Sequence, residues 1–364
     1  MREDFGKSIR KLWCLDQKIT YLDHAAYGAV STTVMEKSNS LRKHIESNPG
    51  AFIKEELPNA MRNVCTGLGQ YLAADGHDIV LVDNATTAMN AVLRSMVFIP
   101  GEEVLVTDQI HSSVRKVVEF ACHRAGIRLA IAAIPFPSAG RAEIFQAVTQ
   151  QINPRTRLII LDHITSPRSL VFPLQELIEH CTNEGIEVLI DGAHAPGMLD
   201  FKIQDLGASW YIGNCHKWVG SIRGCGFLWV KESLQASIRP TTISTGMGLG
   251  YVESFDWPGS KDFTPYLSVI DAIAFRADYG EEAIRDYCTA LCLAAAQELA
   301  DLWHTELGTV EHGACFMQAV RLPIGGWADR EGAIALRRRL RNDFGIEAHI
   351  VMCILGVETQ RSGQ

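Results

Sequence analysis

A lysine and a histidine lie in the turn between two apolar, strand-like runs of the stretch WYIGNCHKWVGSIRGCGFLWV, residues 210–230. An unpaired ammonium is costly to bury, so Lys217, among aromatic, Gly and Cys neighbours, is either a stem that snorkels its charge to water or a chemical group. Asp191 closes another apolar run in LIDGAHAPG (189–197), with His194 three residues on. A carboxylate there needs a cation or several donors, unless it caps the next helix. In VDNATTAMNA (82–91), Asn84, Ala85, Thr86 and Thr87 occupy a strand-to-helix turn. Free backbone N–H groups and hydroxyls at such a turn cradle a phosphate, although a plain helix cap explains Asn84 equally well. His111, in TDQIHSSV (107–114), follows one more apolar run; it is a flat ring able to stack on a planar ligand, or a loop histidine.

An amine, a carboxylate and a phosphate-suited turn, each at the end of a strand-like run, are together the parts of a pyridoxal phosphate site. The cofactor's aldehyde needs a lysine amine for a Schiff base, and its pyridine nitrogen needs a carboxylate to stay protonated. The protonated ring is then an electron sink for a carbanion at a substrate Cα.

The elements that must position these groups are legible as runs rich in Val, Ile and Leu: DIVLVD (78–83), EEVLVTD (102–108), RLAIAAIP (128–135), TRLIILDHI (156–164), EVLIDGAH (187–194), WYIGN (210–214) and GCGFLWV (224–230). Seven such runs alternating with helical patterns predict an α/β fold, a mostly parallel sheet covered by helices on both faces. In doubly wound sheets ligands gather at the carboxyl ends of the strands, where each of the residues above lies. The texture changes after residue 235 to a Gly, Ser and Thr-rich connection, then Thr264 and Pro265 begin a helical stretch to about residue 304, with Thr as cap. GACFMQAVRLP (313–323) and GIEAHIV (345–351) read as strands around the helix EGAIALRRRLRNDF (331–344). The expected organisation is an arm over 1–20, a large domain over 21–250 and a smaller C-terminal α/β domain over 251–364.

Composition narrows the class. The 364 residues are 47% hydrophobic with net charge −8, enough to fill a sizeable core. The one dense basic run, LRRRLR at 336–341, sits on a helical pattern, which argues against nucleic acid as partner. No apolar run reaches the ~18 residues of a membrane span, and MREDFGKSIRKLW lacks a signal-peptide core, so a cytoplasmic protein is expected. Ten cysteines without a paired C-x-x-C framework read as small buried hydrophobes, Cys288 and Cys292 among them as core packing on one helical face.

Taken in order, these motifs resemble the class V aminotransferase family of fold type I pyridoxal phosphate enzymes, and most its isopenicillin N epimerase-like branch. YLDHAAYGAV (21–30) resembles the opening strand and glycine turn, NPGAFIKEELP (48–58) the substrate-side loop, NATTAMNAVLRS the phosphate turn, and DHITSP (162–167) the strand end facing the ring. DGAHAPG, the lysine hairpin and FDWPGSKDFTPYLSV (255–269) complete the series, over about residues 20 to 350. The resemblance implies Lys217 as Schiff-base residue and catalytic base, Asp191 on the ring nitrogen, His194 near the phenolic oxygen and His111 stacked on the ring. It implies Asn84, Ala85, Thr86, Thr165 and His216 around the cofactor, Ser260 reaching the partner subunit's phosphate, and a homodimer with shared sites.

The sequence departs from the branch after about residue 350. MCILGVETQRSGQ has no RIS-like strand carrying the arginine that clamps a substrate carboxylate. Arg361 lies in a polar tail, and Arg223 is either an acidic-group partner or a solvated loop residue. Cys353 and Cys215 read as packed rather than mobile, against a persulfide-forming cysteine nucleophile. Carbon–sulfur elimination or epimerisation at Cα of an amino acid is therefore expected, with aminotransfer, or a truncated homologue of little activity, as alternatives.

Overall fold

The computed structural model describes residues 5–136, 140–308, 316–325, 327 and 329–350. Nine strands occur among these: β1 (Thr20–Tyr21), β2 (Ile79–Val82), β3 (Glu103–Thr107), β4 (Arg128–Ala132), β5 (Thr156–Asp162), β6 (Glu187–Gly192), β7 (Trp210–Asn214), β8 (Gly226–Val230) and β9 (Ile346–Glu347). β2 to β8 form one seven-stranded sheet in the order β2-β8-β7-β6-β5-β3-β4. Every neighbouring pair from β7 to β4 is parallel, whereas β8 runs antiparallel to both β7 and β2.

Helices on both faces explain the unbroken apolar runs. Side chains alternate across a strand: Ile79, Leu81, Ile159, Leu161, Val188 and Ile190 enter the core under the helices Leu57–Leu72, Arg141–Thr149 and Leu174–Asn183. Their neighbours Val80, Val82, Leu158, Ile160 and Leu189 enter the other core, under Ala85–Ser95 and Ser112–Ala125. The same alternation carries Asp162 and Asp191 onto the second face.

Several predicted boundaries shift. Residues 48–58, expected as a loop, are helical: Asn48 caps Pro49–Ala51, a π-helical turn follows over Phe52–Glu56, and Leu57–Leu72 continues with Pro58 in its first turn. Pro49 starts its helix, where a proline loses no needed donor, and Pro58 follows directly on the π-helical turn. The stretch 264–304 is not one helix but Thr264–Leu267, Val269–Tyr279 and Glu281–Trp303, parted at Gly280 with φ +84°. Thr264 lies inside the first of these rather than capping it. Residues 316–323 form no strand beyond a single bridge, Leu307 to Val320, and GIEAHIV contributes only β9, which pairs in parallel with β1. Cys288 and Cys292 are half-buried rather than core residues. Cys353 and Arg361 lie outside the described residues. No helix among the described residues is long and apolar enough to cross a membrane.

Two glycines let backbone segments close on the lysine turn. A Cβ on Gly28 would meet Lys217 O at 2.4 Å, and one on Gly197, at φ +87°, would meet Trp218 C at 2.8 Å. Gly197→Ala combines a backbone clash with left-handed strain and is expected to cost on the order of 3 kcal/mol. Gly126→Ala, at φ +67° in open space, should cost about 1 kcal/mol. Urea midpoints measured on both variants check the difference.

Candidate active site

The turn between β7 and β8 carries Lys217 past the carboxyl end of β6. Burial pushes the Lys217 amine down from 10.5 to about 8, against the opposing pull of Asp191 and Asp23. Its Nζ lies 3.3 Å from His194 Nε2, and Trp218 Nε1–H donates to His194 Nδ1 at 3.3 Å. With Nδ1 accepting, the neutral ring carries its proton on Nε2 and aims it at Lys217. An amine that receives this bond is in its unprotonated form, to which a pKa of about 8 gives a larger share near neutral pH than an ordinary lysine has; burial likewise holds His194 well below its ordinary value.

Asp191 and Asp162 are register partners on β6 and β5, both buried. Burial raises both carboxyls, and Asp191 pushes Asp162 up further. Asp191 Oδ1 accepts from Ala193 N at 3.0 Å, but Asp162 Oδ2 is buried with no hydrogen-bond partner. Behind the pair, His163, buried and lowered to about 3, meets the Tyr211 hydroxyl at 2.9 Å.

The turn after β2 is locked to the hairpin by both of the hairpin's strands. Asn214, at the end of β7, accepts from Ala85 N at 2.9 Å, and a Cβ on Gly226 would strike Asn84 Cα at 2.8 Å. Asn84 Oδ1 caps the helix by accepting from Thr87 N at 2.9 Å. The Ala85 amide, expected as a phosphate donor, is thus engaged within the protein. A cavity of about 520 Å³ opens at this helix start, lined by Asn84, Thr86, Thr87, Asn90, Arg94 and Thr241. His216 Nδ1 lies 2.6 Å from Cys225 O, which leaves its Nε2 for an outside partner.

His111 caps the helix Ser112–Ala125, with Nδ1 2.6 Å from Ser113 Oγ. Burial and then the charge of Lys217 lower it, so it shares the field of the site. Thr165 is fully buried and its Oγ accepts from Leu170 N at 3.0 Å, closing the turn after β5. Ser260 is exposed, next to Lys261, which is ion-paired to Asp83 beside the phosphate-suited turn. Arg223 is not merely solvated; it donates to Gly28 O at 3.1 Å and pins the glycine turn over Lys217. Cys215 is fully buried in the hairpin, as expected.

Sequence reasoning missed Asp23 and His24. Asp23 is 2% exposed, 3.4 Å from His349 Nδ1, and acts on Lys217. His24 is edge-on to Tyr21 and tilted 6.4 Å from Trp218. Two charged or polar residues in one short apolar segment were the available signal.

The family model for Aminotransferase class-V matches residues 20–312. Isopenicillin N epimerase of Streptomyces clavuligerus is 29% identical over 354 residues, covering 92% of this chain and 88% of its own. Putative L-cysteine desulfhydrase 1 of Oryza sativa subsp. japonica is 29% identical over 363 residues, 94% of this chain and 75% of its own. Among solved structures, a C-DES mutant with glycine covalently linked to the PLP cofactor superposes with a TM-score of 0.81 at 20% identity, over 92% of this chain and 90% of its own. The apo cysteine desulfurase of Thermococcus onnurineus NA1 gives 0.76 at 16%, over 93% and 87%. These two likenesses establish the shared fold.

Proposed function

The chain belongs to the aminotransferase class-V family, and on that premise we propose that it is a pyridoxal 5′-phosphate enzyme that labilises the Cα proton of an amino acid and expels a sulfur substituent. The residues fit the cofactor on observations of the structure itself. A buried carboxyl pair with an orphaned oxygen suits a protonated pyridine nitrogen. A polar cavity at a helix N-terminus suits a phosphate, and a half-buried amine lowered to about 8 suits an aldehyde. When bound, the cofactor supplies an electron sink for the carbanion left at Cα.

The chain's own residues do the rest. Asp191 would hold a proton on the ring nitrogen, with Asp162 beside it in the register pair. Thr86, Asn84 and His216 Nε2 would hold the phosphate. Lys217, its amine lowered to about 8 so that more of it is unprotonated near neutral pH than in an ordinary lysine, would anchor the cofactor and would take the Cα proton, while His194 and Trp218 fix its direction. The observation that carries elimination is that Lys217 is the amine base aimed into the site, backed by a neutral His194, whereas inversion requires an acid and a base on opposite faces. His111 caps its helix through Nδ1, so it would have only Nε2 to offer as a second acid or base. The printed activities of the relatives, desulfhydrase and epimerase, support a Cα-proton reaction of this kind. Buried or half-buried thiols, apart from exposed Cys14, among the described cysteines argue against a persulfide carried on a mobile cysteine and agree with a cytoplasmic setting.

We further propose a homodimer in which exposed Ser260 serves the neighbouring phosphate; Ile243 and Leu249, 61% and 74% exposed, precede it and would be covered. The test is to incubate the holoenzyme with L-cysteine and L-cystine in deuterated water and assay pyruvate, ammonia and sulfur products. Equimolar pyruvate and ammonia are expected. Deuterated D-amino acid without pyruvate would mean epimerisation, and a keto acid with the amino group retained on the cofactor would mean aminotransfer.

A further inference from the structure

Arg276 lies near the end of the helix Val269–Tyr279 and is 7% exposed. Its Nη1 donates to Trp218 O and one Nη2 bond goes to Gly197 O, both at 2.7 Å. Nε and Nη2 also donate to Glu281 Oε1 and Oε2, at 2.7 and 2.6 Å. Glu281 opens the next helix beyond the Gly280 break, and the Tyr71 hydroxyl donates to it at 3.0 Å.

The two carbonyls belong to the segments that carry the site. Trp218 follows Lys217, and Gly197 lies in the loop after β6 that bears His194, five residues beyond the strand that carries Asp191. One guanidinium thus ties the lysine turn to the histidine loop and both to the pair of helices flanking Gly280. Its planar fork reaches two carbonyls and a bidentate carboxylate at once, which an ammonium cannot do.

We propose that Arg276 is a positioning residue for Lys217: by holding Trp218 O and Gly197 O it fixes the indole that sets the His194 tautomer, and through His194 the direction of the amine. The proposal rests on the reading of Lys217 as the reacting amine. The charged and titratable groups acting on Lys217 or His194 are Asp191 and His194 at the end of β6, Asp23 after β1, His111 at its helix start and His349 after β9. None lies on the helix of Arg276, so a change at Arg276 alters the Lys217 titration by moving the lysine turn.

The experiment compares Arg276→Gln, Arg276→Lys and Tyr71→Phe with wild type in two readouts. The cofactor-free proteins are acylated with an amine-selective reagent over a pH series, and Lys217 labelling is followed by mass spectrometry. The holoenzymes are assayed for kcat and KM. In Arg276→Gln the labelling midpoint should rise by roughly one pH unit as water reaches the amine, and kcat should fall about tenfold with KM nearly unchanged. Arg276→Lys should lie between Arg276→Gln and wild type, with Tyr71→Phe shifted less in the same sense, so a failure of Arg276→Gln to fold leaves two variants that decide. Folded variants with wild-type midpoint and kcat would overturn the proposal. A shifted midpoint in a protein whose wild type turns over no amino acid would sustain the positioning role and reject the reaction.

Discussion

Lys217→Ala is expected to yield a folded protein with no covalently held cofactor and activity lower by at least about three orders of magnitude, since both covalent anchoring and proton transfer depend on that amine. The readouts are borohydride fixation of pyridoxal 5′-phosphate followed by mass spectrometry, and turnover of L-cysteine. A second consequence concerns stability. The folded amine titrates near 8 against an ordinary 10.5, so between those pH values the unfolded chain binds the additional proton and the cofactor-free protein gains stability as pH rises. Below pH 8 the full cost is present, at most about 3 kcal/mol. Lys217→Ala removes it, so the cofactor-free variant should be more stable than wild type at pH 7 and lose that advantage toward pH 10.5. Equal urea midpoints for the two proteins at pH 7 would mean that water solvates the amine in the folded state.

Asp191→Asn should keep the covalent cofactor and lower kcat by about two to three orders of magnitude, the scale of removing a preorganised charge from a developing one. An amide cannot hold a proton on the ring nitrogen. It also relieves the repulsion that raises Asp162, and it withdraws a negative charge that favours the protonated lysine. The pH at which Lys217 is labelled should consequently fall below the wild-type midpoint. Asp162→Asn, which leaves Asp191 in place, is expected to lose less than about tenfold. Comparable losses in the two variants would assign the ring nitrogen to the pair rather than to Asp191.

The strands of the large sheet were legible because burial on both faces leaves continuous Val, Ile and Leu runs, against which Asp191 or Lys217 is conspicuous. The cap at Asn84 was legible for a similar local reason. What escaped was set by distant segments. Gly280 sits in a periodic apolar pattern, and its break became visible only once Arg276 reached across it to Glu281, five residues on. Residues 48–58 were expected as a loop from the resemblance alone, whereas Asn48 caps a helix start at Pro49, where proline is tolerated, and a π-helical turn runs on into the helix of Pro58. Asp23 acts on Lys217 only because Gly28 packs against the lysine backbone, a contact between residues nearly two hundred positions apart. The Ala85 amide shows the reverse: its place in a phosphate-suited turn was plain, but its bond to Asn214 was not.

The parallel pairing of Thr20 with Ile346 gives this site an order of assembly. A ribosome releases the segment bearing Asp23 and His24 first, yet that segment's strand partner emerges more than three hundred residues later. Lys217, Asp191 and the turn at Asn84 can be assembled on the sheet while the nascent chain is still growing, since domains form as units during synthesis. The early segment must wait unpaired, with Leu22 and Tyr27 open to other contacts, until β9 arrives to hold it. Closing so long a loop adds little to the equilibrium cost but much to the delay. The lysine is therefore built before its cover, and the segment that carries Asp23 over it is held only once β9 has been made.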